Sequence, residues 1–230
     1  IRCHTKTLAL LGKPEDVSNI SRKLMDYGLS NVHIYIGADL KQPDEQIVSG
    51  NPADFLHRTF SALSLLYIEN PNAELLPVTY GLPDDAFIRG KVPMTKSEIR
   101  SIVLSKLKLT KNAILFDIGA GTGSIAIEAA RQIPDGRVYA IERNPDGLDL
   151  IKENSLKLQA DNLTIVSGTA PECLDTLPAA THAFIGGSGG HLKEIMQLLY
   201  SRNPEIRIVI TAITLETISQ IMTLQKEMSL

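Results

Sequence analysis

The sequence lacks tryptophan, has only two cysteines among its 230 residues, and is only 5% aromatic. Cys3 and Cys173 are far apart and show no CxxC or Cys/His spacing, which argues against a disulfide framework and a structural zinc site. No apolar run approaches the roughly 18 residues of a membrane-spanning helix. We therefore expect a protein without bound metal and without a membrane partner, in the reducing cytoplasm.

An excess of charge of one sign is also missing. Lys and Arg total 23 against 26 Asp and Glu, and the formal net charge is −3. Without a basic stripe, we expect no nucleic-acid partner. The N-terminus shows no charged-then-apolar signal pattern. It begins with Ile1 rather than Met, which suggests a processed or truncated piece.

Residues 1–75 form the first of two expected domains. Apolar periodicity predicts three strands and two helices, with the strands at 6–12, 32–36 and 63–68 and the helices at 14–28 and 52–56. The polar residues 44–47 predict a turn. Because the polar segment 69–73 contains a proline, we place the domain boundary between residues 70 and 80.

Residues 76–230 alternate regularly between strand and helix. The predicted strands are 113–117, 137–142, 163–167, 182–186 and 206–212, and the helices that follow them are 124–132, 145–158, 171–175, 190–201 and 214–226. A preceding helix from Lys96 to about Leu107 begins with a predicted capping box of Thr95 and Glu98. This alternation predicts an α/β fold, a doubly wound Rossmann-like domain with helices on both faces of a parallel sheet.

A glycine turn follows the first of these strands. Apolar residues lead to Asp117, and glycine then occupies positions 119, 121 and 123 before a helix begins. Such a turn lets the backbone approach a ligand closely, and the helix start offers free amide donors. Glu142 ends the next strand, where an acid accepts hydrogen bonds from both hydroxyls of a ribose. The pattern predicts a nucleotide-like cofactor.

Two details favour S-adenosylmethionine over a dinucleotide. The dinucleotide fingerprint requires glycine where this chain has Ser124. The acid ahead of the glycines would repel a pyrophosphate but suits a cationic amine and sulfonium. The spacing resembles the S-adenosylmethionine site of the Rossmann-like methyltransferases, a family that packs adenine where Thr169 and Ala170 end the third strand. A nicotinamide oxidoreductase is the disfavoured alternative.

A second glycine loop, Gly186-Gly187-Ser188-Gly189-Gly190, follows the fourth strand. So many glycines are costly unless the backbone must approach something closely. We expect this loop to face the first glycine turn across the site. Together with Asp117 to Gly123 and the segment Arg89-Gly90-Lys91-Val92-Pro93-Met94-Thr95-Lys96, it resembles the carbon-15 methyltransferases of cobalamin (corrin ring) biosynthesis.

Residues 6–70 resemble the C-terminal half of a carbon-5 tetrapyrrole methylase. Both parts in this order resemble the bifunctional precorrin-6Y C(5,15)-methyltransferases (decarboxylating). The N-terminal half of the carbon-5 enzyme, with its own cofactor loop, is missing, so we expect no carbon-5 activity. The family would also continue beyond Leu230 into a final strand pair.

The resemblance implies an enzyme that uses S-adenosylmethionine to methylate a precorrin-type tetrapyrrole at carbon 15, with decarboxylation of the carbon-12 acetate. It further implies a homo-oligomer, a tetramer in this family. The implied cofactor contacts are Thr95, Asp117, Gly119, Ala120, Gly121, Thr122, Gly123, Glu142, Thr169 and Ala170. The implied substrate contacts are Arg89 and Lys91, which suit carboxylates, together with Gly187 and Ser188.

No catalytic acid, base or nucleophile is named by the sequence. Ser188 and His191 lie near the predicted site, but helix capping and packing explain them as well. Two alternatives stay open besides the oxidoreductase. One is a methyltransferase acting on another small molecule, and the other is an S-adenosylmethionine-binding module without activity.

Overall fold

The structure is a computed structural model that describes residues 1–2, 4–73 and 81–227. By its internal contacts the chain divides into two units, Ile1–Pro77 and Val78–Leu230. Most of the predicted boundary region, 70–80, lies outside the described residues, as do Cys3 and the chain end at 228–230. Each unit is described by itself below.

The first unit is a four-stranded antiparallel sheet packed against one α-helix. Its elements are β1 (Lys6–Leu11), α1 (Asp16–Asp26), β2 (His33–Ala38), β3 (Gln46–Gly50) and β4 (Ser64–Glu69), with the strand order β1-β4-β2-β3. Strands β2 and β4 bury alternate residues, and these meet one face of α1. The core includes Val17, Leu24, Ile34, Ile36, Leu66 and Ile68.

One expectation for this unit is wrong. The polar stretch predicted as a turn begins β3, whose Val48 pairs with Ile36 of β2. As an edge strand, β3 pairs on one side only and is largely exposed, so it does not need the apolar alternation that reveals a strand. The second predicted helix is present as a short 3-10 helix, Pro52–Phe55.

The second unit is the predicted doubly wound α/β fold, which the structure confirms. Its elements are α2 (Ser97–Leu107), β5 (Ile114–Ile118), α3 (Ser124–Gln132), β6 (Arg137–Glu142), α4 (Pro145–Lys157), β7 (Leu163–Ser167), β8 (His182–Ile185), α5 (Leu192–Arg202), β9 (Arg207–Ile210) and α6 (Leu215–Glu227). The strands are parallel, in the order β7-β6-β5-β8-β9. The order reverses between β5 and β8, which leaves a crevice at their C-terminal ends.

Helices cover both faces of this sheet because neighbouring strand residues point in opposite directions. Leu115 of β5 joins a core with α2, α3 and α4. The next residue, Phe116, joins a second core with α5 and α6. Burial of a side chain such as Leu115, which is 0% exposed, stabilises the fold by about 1.5–3 kcal/mol. None of the helices in the described ranges has the length and apolar character needed to cross a membrane.

Helix α2 begins without the predicted capping box. Lys96 occupies the N-cap position, and its side chain accepts no hydrogen bond from the helix. The amide of Ser97 instead donates to Oδ1 of Asp84 at 3.0 Å. An upstream acid thus takes the role predicted for Thr95, because the chain folds back on the start of the helix.

Candidate functional site

A cleft of about 350 Å³ opens where the strand order reverses. One wall segment precedes α2, and the others follow β5, β6, β7 and β8. The cleft is lined by Val92, Pro93, Ile118, Gly119, Gly121, Ile141, Glu142, Arg143, Asn144, Gly168, Thr169, Ala170, Gly186, Gly187, Ser188 and Gly189. Ligands of open parallel sheets bind at this kind of switch point.

The glycine turn after β5 is held by main-chain bonds from β6. The amides of Gly119 and Ala120 both donate to the carbonyl of Ile141 at 3.0 Å. The φ angles are +76° at Gly119, +58° at Gly121 and +77° at Gly123. Only glycine adopts this left-handed region freely, so the spacing of the glycines is a backbone requirement. Gly123 is the N-cap residue of α3.

The second glycine loop touches the first. A Cβ atom on Gly119 would lie 2.9–3.0 Å from the N, O and Cα atoms of Gly187. The amides of Gly186 and Gly187 donate to the carbonyl of Ile118 at 3.0 and 3.2 Å. The expectation that the loops face each other across the site is therefore wrong. They follow adjacent strands, so they form one continuous wall.

Glu142 is the acid of the cleft wall. Its Oε2 accepts a hydrogen bond from the Gly121 amide at 2.8 Å, and its Oε1 accepts from the amides of Arg143 and Asn144, both at 2.8 Å. A carboxylate has about four acceptor sites, so one stays open to a ligand. The side chain can accept from one ribose hydroxyl in this geometry, rather than from both as expected.

Asp117 lies inside the unit rather than in the cleft wall. It is 1% exposed, and its Oδ2 accepts a hydrogen bond from the amide of Ala126 at 2.9 Å. Its Oδ1 is buried without a hydrogen-bond partner among the described residues. Burial raises the pKa of Asp117 to about 7; the Ala126 amide opposes this shift and the charge of Glu142 adds to it. Asp117 therefore ties β5 to α3 beside the cleft rather than lining it.

The structure brings seven of the predicted site residues to the cleft. They are Gly119, Gly121, Glu142, Thr169, Ala170, Gly187 and Ser188. The others lie outside its lining: Arg89, Lys91, Thr95, Asp117, Ala120, Thr122 and Gly123. Arg89 and Lys91 are exposed, on the segment that leads to the lining residues Val92 and Pro93.

Arg143 is a cleft residue that the sequence reasoning missed. It lines the cleft next to Glu142, and its Nη1 atom lies 3.8 Å from the Cβ position of Gly189 in the second glycine loop. Among the described residues, none forms a hydrogen bond or ion pair with its guanidinium. Its position directly after Glu142, at a strand end, was the available signal.

A second missed residue is Arg100 of α2, which holds the segment before that helix. Residues 81–96, here called the strap, run from the first described residue of the second unit to α2. Arg100 is 0% exposed. It donates to Glu128 at 2.7 Å, to Asp84 at 2.8 Å and to the carbonyl of Thr95 at 2.5 Å. Its guanidinium lies 4.8 Å from the Phe87 ring centroid. The sequence signal was its spacing with Val103, Leu104 and Leu107, which puts Arg100 on the buried stripe.

Arg100 also sets the ionisation of its partner in the strap. Its guanidinium hydrogen bond holds the pKa of Asp84 below its usual value, and the ammonium of Lys96 at 3.2 Å adds to this effect. The buried arginine therefore favours the charged form of Asp84, and Asp84 in turn caps α2.

Residues 85–229 match the family model of the precorrin methyltransferase domain. The chain belongs to this family. A probable cobalt-precorrin-6B C(15)-methyltransferase (decarboxylating) of Pyrobaculum calidifontis is 43% identical over 143 residues, which cover 61% of this chain and 73% of the relative. The resemblance seen in the motifs of the second unit is thus confirmed at the level of the family.

Solved structures agree with this assignment. The precorrin-6Y C5,15-methyltransferase of Geobacter metallireducens is 43% identical, with a TM-score of 0.63 over 66% of this chain and 81% of that one. The C-terminal domain of the precorrin-6Y C5,15-methyltransferase of Rhodobacter capsulatus is 31% identical, with a TM-score of 0.60 over 66% and 81% of the respective chains.

Proposed function

We propose that this chain transfers a methyl group from S-adenosylmethionine to carbon 15 of a precorrin-type tetrapyrrole, with decarboxylation of the carbon-12 acetate, in cobalamin biosynthesis. The observation that carries this proposal is the cleft with two touching glycine loops, in a chain of the precorrin methyltransferase domain family. The name of the Pyrobaculum calidifontis relative gives carbon-15 methylation of a cobalt-precorrin with decarboxylation.

The cleft suits S-adenosylmethionine by charge and by size. Glu142 lines it, and the charge of buried Asp117 couples to that of Glu142. Two acids favour a ligand with a cationic amine and sulfonium, and they disfavour a pyrophosphate. A volume of about 350 Å³ lies near the lower end for ligand pockets, enough for one cofactor. We assign the ribose to Glu142 and the adenine to Thr169 and Ala170.

The tetrapyrrole is too large to share that volume, so it would lie over the mouth of the cleft. Arg143 stands in the wall there, and Arg89 and Lys91 are exposed on the strap. Their charges complement a ring that carries many carboxylates. This arrangement gives the two exposed cations a substrate role without requiring them to line the cleft.

The chain would act mainly by alignment. The bound cofactor supplies a methyl group on a positively charged sulfur, which the ring carbon attacks. Gly119 and Gly187 place no side chain at the wall, so the two reactants can approach to about 3–3.5 Å there. Arg143 would bind a carboxylate of the ring and so fix the orientation of the ring. In this orientation the bond that breaks when carbon dioxide leaves stays aligned with the conjugated system of the ring.

For residues 1–75 we propose the C-terminal part of a carbon-5 tetrapyrrole methylase domain. The first unit leaves one face of its sheet uncovered, since Leu8 and Leu10 of β1 are 63% and 82% exposed. Such a face is typical of an element that packs against more structure. The tetramer and the cytoplasmic location stay predictions, and sedimentation equilibrium of the purified chain tests the first.

The decisive experiment is incubation with a precorrin substrate and methyl-labelled S-adenosylmethionine. We expect label uptake at carbon 15 together with release of one carbon dioxide per methyl group. Label uptake without carbon dioxide would refute the decarboxylation. Methylation of a different small molecule alone, or cofactor binding without any turnover, would replace the proposal by one of its two alternatives. Calorimetry with S-adenosylhomocysteine, with NAD as control, tests the cofactor class.

A further inference from the structure

Asn154, on the buried side of α4, joins two walls of the cleft. It is 0% exposed. Its Oδ1 accepts a hydrogen bond from the Ile88 amide at 2.7 Å. Its Nδ2 donates to the carbonyl of Ile88 at 3.0 Å and to that of Thr122 at 3.1 Å. Ile88 belongs to the strap and Thr122 to the glycine turn, so one side chain binds both segments.

The strap reaches the cleft between two such anchors. Asn154 holds it at Ile88, and Arg100 holds it at the carbonyl of Thr95. The stretch between these points supplies Val92 and Pro93 to the cleft wall. The carbonyl of Pro93 lies only 2.8 Å from the Cβ position of Gly121, so the strap packs directly on the glycine turn.

An asparagine here is not explained by helix formation or packing. It forms helix interiors less well than leucine, and burying its amide costs free energy unless every polar atom is bonded. Its neighbour one turn earlier, Ile151, is a core residue of the same helix face. All three of its hydrogen bonds go to the backbone of the strap and the glycine turn.

We propose that Asn154 is a positioning residue that couples the strap to the glycine turn and so fixes the width of the cleft. Its loss would let the wall at Val92 and Pro93 separate from the turn while the sheet stays folded. The proposal rests on the cofactor site proposed above, since it predicts an effect on cofactor affinity. It also predicts a local effect on the strap that needs no ligand.

Asn154→Leu is the first test, with Asn162→Leu as the matched control. Asn162 is a half-buried amide of the same unit that donates to the carbonyls of Ile133 and Gly136 at 2.8 and 3.2 Å, and it does not line the cleft. Both variants lose bonds to backbone carbonyls. We expect the dissociation constant for S-adenosylhomocysteine to rise about tenfold in Asn154→Leu and less than about twofold in the control.

Trypsin provides the local readout because Arg89 and Lys91 are exposed cleavage sites on the strap. Below the unfolding transition, we expect mass spectrometry to show faster cleavage at these two residues in Asn154→Leu than in Asn162→Leu. Asn154→Asp retains the acceptor for the Ile88 amide and cannot donate both of the remaining bonds, because a carboxyl group has at most one donor. It should show the same two effects, and it decides the question if the leucine variant does not fold.

Equal changes of affinity in the Asn154 and Asn162 variants, or unchanged cleavage at Arg89 and Lys91, would overturn the positioning role. If the unmodified chain does not bind S-adenosylhomocysteine at all, the proposed cofactor site fails instead. The trypsin comparison still decides in that case whether Asn154 holds the strap.

Discussion

Replacing Gly119 with alanine tests whether the two glycine loops must touch. At a φ of +76° an alanine is strained by about 1–2 kcal/mol. Its Cβ would also lie 2.9–3.0 Å from main-chain atoms of Gly187. Those atoms cannot rotate aside as a side-chain end does, because the Gly187 amide is bonded to the carbonyl of Ile118. Such overpacking adds about 1–3 kcal/mol, so we expect a total loss of about 2–5 kcal/mol.

Gly190→Ala is the matched control. Gly190 has a φ of +94°, but no heavy atom lies within 4 Å of its Cβ position. The substitution therefore adds backbone strain without a clash, and we expect a loss of only about 1–2 kcal/mol. Urea denaturation of both variants measures the difference. Calorimetry with S-adenosylhomocysteine then shows whether the displaced loop weakens binding, by about tenfold or more for Gly119→Ala.

Equal stability losses in the two variants would refute this reasoning. The contact between the loops would then matter no more than the strain of a left-handed backbone. If Gly119→Ala is destabilised but binds the cofactor with unchanged affinity, the contact between the loops stabilises the fold and has no role in cofactor binding.

Four further predictions concern charges in and around the cleft. Glu142→Gln retains the side-chain shape but loses the charge, so S-adenosylhomocysteine affinity should fall about 5- to 100-fold in calorimetry. Arg143→Gln should raise the KM for the tetrapyrrole about tenfold with cofactor affinity retained, since it removes a charge-assisted bond to a carboxylate. Arg100→Met removes the ion-pair partner of the buried carboxylate of Glu128, and the free energy of unfolding should fall by about 3–5 kcal/mol in urea. A cationic cofactor lowers the raised pKa of Asp117 from about 7, so the complex binds fewer protons. Affinity, measured by calorimetry, should therefore rise as the pH is raised towards about 7 and level off above it.

Each of these predictions has a contradicting outcome. A Glu142→Gln chain that binds normally would remove the ribose assignment. If Arg143→Gln weakens cofactor binding and leaves the KM unchanged, the guanidinium serves the cofactor rather than the substrate. An Arg100→Met chain as stable as the parent would mean that Glu128 finds another partner. If Asp117→Asn has the same pH dependence as the parent, another group titrates in that range.

The fold of the second unit could be predicted because each strand and helix carries its own local signal. Strand β6, Arg137–Glu142, was predicted to the residue, and α3 begins at Ser124 as expected. The edge strand β3 was missed because one-sided pairing places little demand on its sequence. The false capping box at Thr95 shows the reverse case, in which a local pattern is overruled by Asp84 from elsewhere in the chain.

Parts of the site could be predicted because the backbone conformation there requires particular residue types. Glycines at positive φ and an acid at a strand end are readable in this way, and Gly119, Gly121 and Glu142 do line the cleft. The burial of a side chain and its hydrogen-bond partners cannot be predicted from the sequence in this way. Asp117 was therefore expected to contact the ligand, whereas it is buried inside the unit. Spacing along the chain indicates that Arg100 is buried, but the contacts through which Arg100, Arg143 and Asn154 act depend on tertiary distances.

The cleft is not formed by any one continuous segment of the chain. This arrangement determines how a bound ligand changes the folding and unfolding rates. At least one strand and one helix or 3-10 turn lie between each wall segment and the next, and the walls meet only after the parallel strands pair. Parallel pairing requires closure of long crossover connections before it yields contacts, so the walls assemble late. A ligand that recognises the assembled walls therefore stabilises the chain after the rate-limiting step, and it slows unfolding without accelerating refolding.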